Sequence, residues 1–597
     1  MGLYKPIREF VKVINEPLDV NLEIAHIAYA EAKKKQPRIL LFTNPIERAT
    51  GKTYKMPVLM NLFANHTVVQ RIFGAEPQQI AERIKQAHLS SPPERFQDIL
   101  EAIRILLDVK NIFPKKLKKP GTCQQTELSG LGELPILKSW PGDGGKFITM
   151  GQVYTIDPDT GVQNVGMYRL QVIGDRQLAM HWQAHKDGNR IYQKYKARRE
   201  PMPVTIAIGG DPLYSWCSTA PAPPGIFELY FYGFIRRKRP RLVKSLTNNI
   251  WIPEDTDIVI EGTVEPDEYV KEGPFGDHTG YYTPIEEYPL MHVESITARN
   301  DAIFYATVVG KPPLEDKYMG YATERIFLPL IQAVTPQLID YRMPENGVFH
   351  NLILCKIRCE YPGDSLKVMH ALWGNGQMSF VKHAIFVNED APDLNDFKAL
   401  AKHVLNRLSK ERVLISRGVV DALDHSSPVA LIGGKLGVDA TGEEIKREIE
   451  VIDDNLLVEK LKNIDDSVVD AKQYCTESSN PICVIAIKKQ QPLKELFEKL
   501  QTELKKHLAV VVFVDSEGND LDNPYMLIWR VTNNIDAERD VWIEEIIGID
   551  ATKKTEAEGH LREWPDEVVC DPKTFEKLRK KGLIDLSDEE IKFYQLL

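Results

Sequence analysis

Val153-Tyr154-Thr155-Ile156-Asp157-Pro158-Asp159-Thr160-Gly161, followed closely by Asn164-Val165-Gly166-Met167-Tyr168-Arg169, reads as two strands joined by a tight turn. Val, Tyr, Thr and Ile are the residues that suit a pleated surface. Asp-Pro-Asp-Thr-Gly supplies the fixed φ, the local side-chain acceptors and the free φ that a turn needs. Runs of the same kind recur at 167–173, 204–208, 258–260 and 291–297, separated by Gly and Pro. So many short strands between about 136 and 307 predict a barrel or split barrel.

On the N-terminal side, residues from about 5 to 35 read as helix, with Ile7, Phe10, Val11 and Ile14 on one face. Strand-like Ile39-Leu40-Leu41-Phe42 and Val58-Leu59-Met60 follow, then a helical stretch over 78–107 and a basic, Pro-bounded linker at 113–121. Beyond about Arg325, helical and strand patterns alternate as in an α/β domain. The charged stretch 443–470 reads as an insertion or linker. Ala384-Ile385-Phe386-Val387-Asn388-Glu389, His403-Val404-Leu405-Asn406-Arg407, Glu411-Arg412-Val413 and Leu436-Gly437-Val438-Asp439-Ala440-Thr441 form an ordered series. It is echoed by Val511-Val512-Phe513-Val514-Asp515-Ser516, Arg530-Val531-Thr532-Asn533-Asn534, Glu538-Arg539-Asp540 and Ile547-Gly548-Ile549-Asp550-Ala551-Thr552. The expected fold is α/β (α+β): an N-terminal α/β segment over 1–120, a central split β-barrel over 121–320, and a C-terminal α/β domain over 321–597. The last carries a partial repeat, about 383–442 with 510–555.

The net charge of -10 argues against a chain that wraps nucleic acid. The basic runs Lys115-Lys116-Leu117-Lys118-Lys119 and Arg236-Arg237-Lys238-Arg239 read as solvated faces. Seven scattered Cys without a C-x-x-C favour free thiols in a reducing compartment. The sequence has no run of 18 apolar residues, the length that would span a bilayer, so the expectation is a soluble cytoplasmic protein.

Three clusters could carry chemistry. In Asn164-Val165-Gly166-Met167-Tyr168-Arg169, alternation sends Asn164 and Tyr168 one way and Arg169 the other; spacing alone also suits an edge strand with a surface Arg. In His181-Trp182-Gln183-Ala184-His185-Lys186-Asp187-Gly188, His185 could ligate a metal and Trp182 could line a pocket, or the stretch is a polar loop. In Glu272-Gly273-Pro274-Phe275-Gly276-Asp277-His278-Thr279-Gly280-Tyr281-Tyr282, two acids flank a segment that cannot be an ordinary helix. Such a loop can aim both into one pocket, where like charge and desolvation would raise one pKa towards that of a general acid. Glu228, after Pro223-Pro224-Gly225, starts a predicted helix, a position the helix dipole favours by itself.

In their order and spacing these segments, with Gly209-Gly210-Asp211-Pro212 and the stretch from Ser427-Pro428 to Thr441, resemble the UbiD family of prenylated-flavin decarboxylases. The resemblance covers nearly the whole chain and is most specific at 272–282. It implies prenylated FMN and a divalent ion, usually manganese, as cofactors, with potassium as a further candidate ion. Asn164, His185 and Glu228 match the family's metal ligands. Met167, Tyr168, Arg169, His181, Trp182, Gln183, Lys186 and Asp187 match its cofactor contacts. Arg169, Glu272 and Asp277 match its catalytic network, with Arg169 gripping the substrate carboxylate, Glu272 orienting it and Asp277 delivering a proton. The length resembles the roughly 600-residue subgroup associated with menaquinone biosynthesis, which implies a naphthoate-type acid; a polyprenyl-hydroxybenzoate of ubiquinone biosynthesis is the alternative. A separate flavin prenyltransferase would supply the cofactor. A homodimer or higher homo-oligomer joined through the C-terminal region is also implied, and an apolar substrate leaves peripheral membrane association open. Two readings from other classes stay on the table: a metal-dependent hydrolase built on Asn164, His185, Glu228 and Asp277, and a non-catalytic flavin carrier.

Overall fold

The computed structural model describes residues 4–89 and 110–597. The chain forms two compact units, Met1–Ile326 with Asp566–Leu597, and Phe327–Pro565. Residues 566–597, which the sequence reading places in the C-terminal domain, thus fold with the first unit. They are fixed there by Lys311, whose Nζ lies 2.8 Å from Glu567 Oε2, and by His26 Nε2, which accepts the Asp571 N–H at 2.9 Å.

In the first unit, the helix expected over 5–35 is broken into pieces. Lys5–Phe10 is a 3-10 turn, Val11–Ile14 a strand, and the α-helix is confined to Glu23–Ala32. The apolar residues of Val11-Lys12-Val13-Ile14 are all β-branched, and they pair in parallel with Ile39–Phe42 instead of coiling. Val58–Met60 joins that sheet, and its last strand, Phe304–Tyr305, comes from beyond the barrel. The predicted helix at 78–107 is present over Pro77–Leu89; its remainder from 90 lies outside the described residues. Within the supposed linker, Lys115–Lys116 pairs in parallel with Arg241–Lys244.

The central block is an antiparallel barrel closed by six strands. Around it run Phe147–Ile156, Gln163–Gly174, Gln177–Met180, Glu286–Ala298, Ile258–Glu272 and Met202–Ile208, which returns to Phe147–Ile156. The Asp157–Gly161 turn joins the first two, as its composition predicts: Asp157 Oδ1 accepts the Asp159 N–H at 2.9 Å. Ile258–Glu272 is much longer than the run at 258–260 that announced it, and its far end carries Glu272 into the barrel's buried interior.

The second unit holds two five-stranded sheets of one design. The first runs Leu338–Arg342, Leu352–Ile357, His383–Val387, Ile432–Ala440, Val413–Val419; the second runs Val468–Tyr474, Ile482–Ile487, Val510–Asp515, Ile547–Asp550, Val541–Ile543. In both, the outer pairings are antiparallel and the two inner ones parallel. The stretch 443–470, read as an insertion or linker, contains the helix Asp454–Ile464 and enters the first strand of the second sheet. Among the described residues no helix is long and apolar enough to cross a membrane.

Candidate active site

Arg169 lies where the strand Gln163–Gly174 slips register against Phe147–Ile156, between Tyr168 and Leu170. Such irregularities re-aim a side chain. Far from being a surface residue on an edge strand, Arg169 is buried inside the closed barrel. Its Nε donates to Glu272 Oε1 at 2.8 Å and its Nη2 to Glu272 Oε2 at 3.1 Å, a bidentate pair. Nη1 donates to Asp277 Oδ2, Nη2 also reaches Thr283 Oγ1 at 3.0 Å, and the guanidinium lies 4.7 Å from the centre of the Phe275 ring.

The loop between the two acids is shaped by residues that no other type could replace. Gly273 has φ +100°, and a Cβ there would stand 2.9 Å from the Pro284 carbonyl oxygen. The Gly273 N–H donates to Gln171 Oε1 at 2.8 Å, which ties the loop to the strand of Arg169. Asp277 Oδ1 accepts its neighbour's backbone N–H at 2.7 Å and lies 2.9 Å from His278 Nδ1.

The loop does bring both acids to one point, but the expected rise in pKa is reversed. Burial pushes the Glu272 carboxyl up, yet the Arg169 charge and His181 outweigh it and hold the group at about 2. Burial likewise opposes ionisation of Asp277, while His278 and Arg169 keep it well below the usual carboxylate range. A cation between two acids removes the like-charge repulsion on which the sequence argument rests. At neutral pH the resting site therefore holds two carboxylates and one guanidinium.

His181 stands 3.3 Å from Glu272 Oε2 through Nδ1, and its ring packs 4.3 Å from that of Tyr288. Burial, then the Arg169 charge, lowers its pKa, so the imidazole is neutral at pH 7. With Nδ1 facing a carboxylate, the proton belongs on Nδ1 and Nε2 is an acceptor. That Nε2 and the Trp182 indole Nε1 are buried without a hydrogen-bond partner among the described residues. A bound polar group explains such orphans more readily than an empty apolar core does.

The remaining predicted contacts lie on the adjoining elements. The Met167 N–H donates to the Ser218 carbonyl at 2.8 Å, and Gln183 is buried, its carbonyl accepting the Lys186 N–H at 3.0 Å. Lys186 caps the helix Asp187–Arg198, in whose first turn Asp187 is held by Arg190 at 2.6 Å. Tyr168 Oη accepts the Gly188 N–H at 3.1 Å. A Cβ on Gly188 would sit 2.8 Å from the Trp182 ring. Gly188→Ala is therefore expected to destabilise by about 1–3 kcal/mol through overpacking, read as a lower thermal midpoint.

Of the three predicted metal ligands, Asn164 and Glu228 come together. The Asn164 side-chain amide lies 3.1 Å from Glu228 Oε1, and the Val165 N–H donates to Glu228 Oε2 at 2.8 Å. Glu228 is the N-cap of the helix Leu229–Arg236, as the Pro-Pro-Gly turn predicts. With the amide oxygen towards Glu228 the pair needs either a cation or a proton between them, and burial pushes the Glu228 carboxyl up to about 8; with the nitrogen there, it is an ordinary hydrogen bond. His185 lies half-buried in the turn before the helix that begins at Asp187. Among the described residues no group of three or more His, Cys, Asp or Glu is arranged to hold a metal, so an ion here would rely on the amide of Asn164 as a donor. Oxygen and imidazole donors suit manganese and do not exclude other ions.

Sequence models of the 3-octaprenyl-4-hydroxybenzoate carboxy-lyase N-terminal, Rift-related and C-terminal domains match residues 8–87, 115–312 and 317–440. The chain belongs to the UbiD family of carboxy-lyases, enzymes that release carbon dioxide. An uncharacterized protein of Helicobacter pylori strain J99 is 50% identical over 96% of this chain and 94% of its own length. One from Aquifex aeolicus is 41% identical over 73% of this chain and 92% of its own length. The fold is also that of the UbiD-class enzyme HmfF from Pelotomaculum thermopropionicum, solved with FMN: TM-score 0.61, 23% identity, 73% of this chain and 91% of that one. Vanillic acid decarboxylase from Sedimentibacter hydroxybenzoicus matches with TM-score 0.64 and 22% identity over 77% of this chain and 99% of that one.

Proposed function

We propose that this chain removes carbon dioxide from an aromatic or conjugated carboxylic acid, using prenylated FMN and a divalent ion. The observation that carries the reading is the buried Arg169, gripped by Glu272 on one side and Asp277 on the other, beside the unpartnered ring nitrogens of His181 and Trp182. The flavin would be held by Met167, Tyr168, Arg169, His181, Trp182, Gln183, Lys186 and Asp187, and the ion by Asn164, His185 and Glu228. When bound, prenylated FMN supplies a sink for the electrons left behind when carbon dioxide departs from an sp2 carbon. Arg169 binds the substrate carboxylate through its planar fork, and Glu272 fixes the plane of that fork. Phe275 beneath the guanidinium and the surrounding barrel exclude water. As the substrate carboxylate engages Arg169, the hold of the guanidinium on Asp277 weakens. The Asp277 pKa then rises, and Asp277 Oδ takes up one proton from solvent, which it passes to the substrate carbon as carbon dioxide leaves.

For the substrate we propose a naphthoate-type acid, on the resemblance in length to the menaquinone-type subgroup. The likeness to vanillic acid decarboxylase supports an acid of aromatic character, and a polyprenyl-hydroxybenzoate is the runner-up. The test is carbon dioxide release from a panel of naphthoates and hydroxybenzoates by protein co-expressed with a flavin prenyltransferase and manganese. Release from one branch names the substrate. Bound flavin without turnover of any panel member would favour a carrier. Activity with metal and no flavin would favour a hydrolase.

The ion has its own test. Losing an outer partner of a metal ligand already costs roughly 10–100-fold in affinity. Glu228→Gln is expected to cost at least that, seen as loss of manganese from desalted protein by metal analysis. Full manganese retention would remove Glu228 from the ligand set.

A further inference from the structure

The second unit contains more protein than one α/β sheet domain needs, and its two sheets are alike beyond strand order. Each first strand slips register at the same place, between Leu338 and Asp340 and between Val468 and Asp470. Each ends its fourth strand in the same local turn, where Asp439 Oδ1 accepts the Thr441 N–H and Asp550 Oδ1 accepts the Thr552 N–H, both at 2.9 Å. The two are copies of one domain. One face of the first sheet is covered by its own helix Asp364–Trp373, through Val368, Met369 and Leu372, and the matching face of the second by Lys494–Leu504, through Leu496, Phe497 and Leu500. A largely parallel sheet needs both faces covered. Each remaining face carries a second helix of its own copy, Phe397–Leu405 through Leu400 and Val404 and Pro524–Asn534 through Leu527 and Val531. The strands these leave open, at the fourth and fifth positions, cover each other. Ile415, Leu436 and Val438 of the first copy share a single core with their counterparts Ile543, Ile547 and Ile549 of the second. Like face against like face is the arrangement of a two-fold homodimer interface.

We infer that Phe327–Pro565 is an internal pseudo-dimer, in which the second copy is a built-in partner covering the part of a sheet face, around Ile415, Leu436 and Val438, that a one-copy relative must cover with a second chain. The polar contacts between the copies support this by their complementary loss. The first copy keeps a long loop over 420–431, and the second copy latches it: Arg539 Nη2 donates to the Ser426 carbonyl at 2.9 Å, Ser426 Oγ donates to the Ile535 carbonyl at 3.0 Å, and His425 Nε2 lies 3.2 Å from Asn534 Oδ1. Asp536 Oδ2 also accepts the Gly434 N–H at 2.8 Å. A symmetric dimer would hold this latch twice. Here the mirror-image latch is gone from both sides. The second copy has only Glu544-Glu545-Ile546 where the loop would be, and the first has Ser409-Lys410-Glu411-Arg412-Val413, without an Asp, opposite it. What survives there among the described residues is one hydrogen bond, from Lys410 Nζ to the Glu544 carbonyl at 3.3 Å. One latch per pair of copies is enough once the pair is a single chain.

The inference is independent of the reaction assigned above, and particle mass tests it without any turnover. The family's C-terminal match ends at residue 440, with the first copy, and the Aquifex aeolicus relative leaves 27% of this chain unmatched over 92% of its own length, as a protein with one copy would. By native mass spectrometry the relative is expected to assemble with twice as many subunits as this chain. Equal subunit numbers, or a monomeric relative, would overturn the inference. In this chain, Val438→Glu places a charge in the shared core and is expected to lower the thermal midpoint without changing particle mass. A drop in mass would mean that the face joins separate chains, and would overturn it equally. Should that variant not fold, the comparison of the two native proteins decides alone.

Discussion

Asp277→Asn is expected to slow carbon dioxide release by about 10²–10⁴-fold, the range a positioned general acid contributes, while substrate still binds. Asn keeps the size of Asp and an oxygen that can accept from His278 N–H and Arg169, so the loop geometry should survive. What it removes is, among the described residues, the one acid bonded to Arg169 that is not committed to a bidentate pair. Asp277 is a carboxylate at rest; on the mechanism proposed above it would become a donor only after the substrate has drawn Arg169 away. Product formed in deuterium oxide by the native enzyme should therefore carry one deuteron at the vacated carbon. The product's own hydrogen at that carbon should exchange with solvent in the native protein and not in Asp277→Asn. Undiminished exchange in the variant would remove Asp277 from the proton path.

Much of this site could be read from one dimension because its residues are crowded into three short runs. The run at 272–282 mixes two acids with Gly and Pro, a combination that surface loops have no reason to hold so densely. The turn at 157–161 and the β-branched runs announced the barrel in the same way. The direction of the pKa shifts was not legible, because it depends on a guanidinium about a hundred positions away in sequence that closes between the acids. Thr283, Phe275 and Tyr288 were missed as site residues for a similar reason. A hydroxyl and two rings carry no spacing signal until the barrel folds them against Arg169 and His181. Val11–Ile14 misled because apolar residues at 7, 10, 11 and 14 fit a helical face, whereas the β-branched run pairs as a strand with Ile39–Phe42. The repeat was visible at 383–442 and 510–555, where Asp-Ala-Thr turns and charged caps fix residue identities. Its first two strands went unnoticed, because there burial demands only apolar residues.

Arg169→Met should be the most damaging single change to the first unit. Removing one partner of a buried ion pair costs about 3–5 kcal/mol, because the charge left behind has nothing to replace it, and here two carboxylates are left. Glu272 has a side chain 0% exposed and Asp277 one only 11% exposed. In the native protein Glu272 titrates at about 2, below its unfolded value of about 4.3. The stability it contributes is thus fully present above about pH 4 and lost as pH falls towards 2. In the variant the sign inverts. Without the guanidinium, burial and mutual repulsion raise at least one of the two carboxyls above its unfolded value, so the folded form takes up a proton as the solution is acidified and gains stability. The deficit of Arg169→Met relative to the native protein, measured as the shift in urea midpoint, should therefore be larger at pH 7.5 than at pH 5. A deficit of the same size at both pH values would mean that lost packing of the arginine stem, not two stranded carboxylates, accounts for the damage.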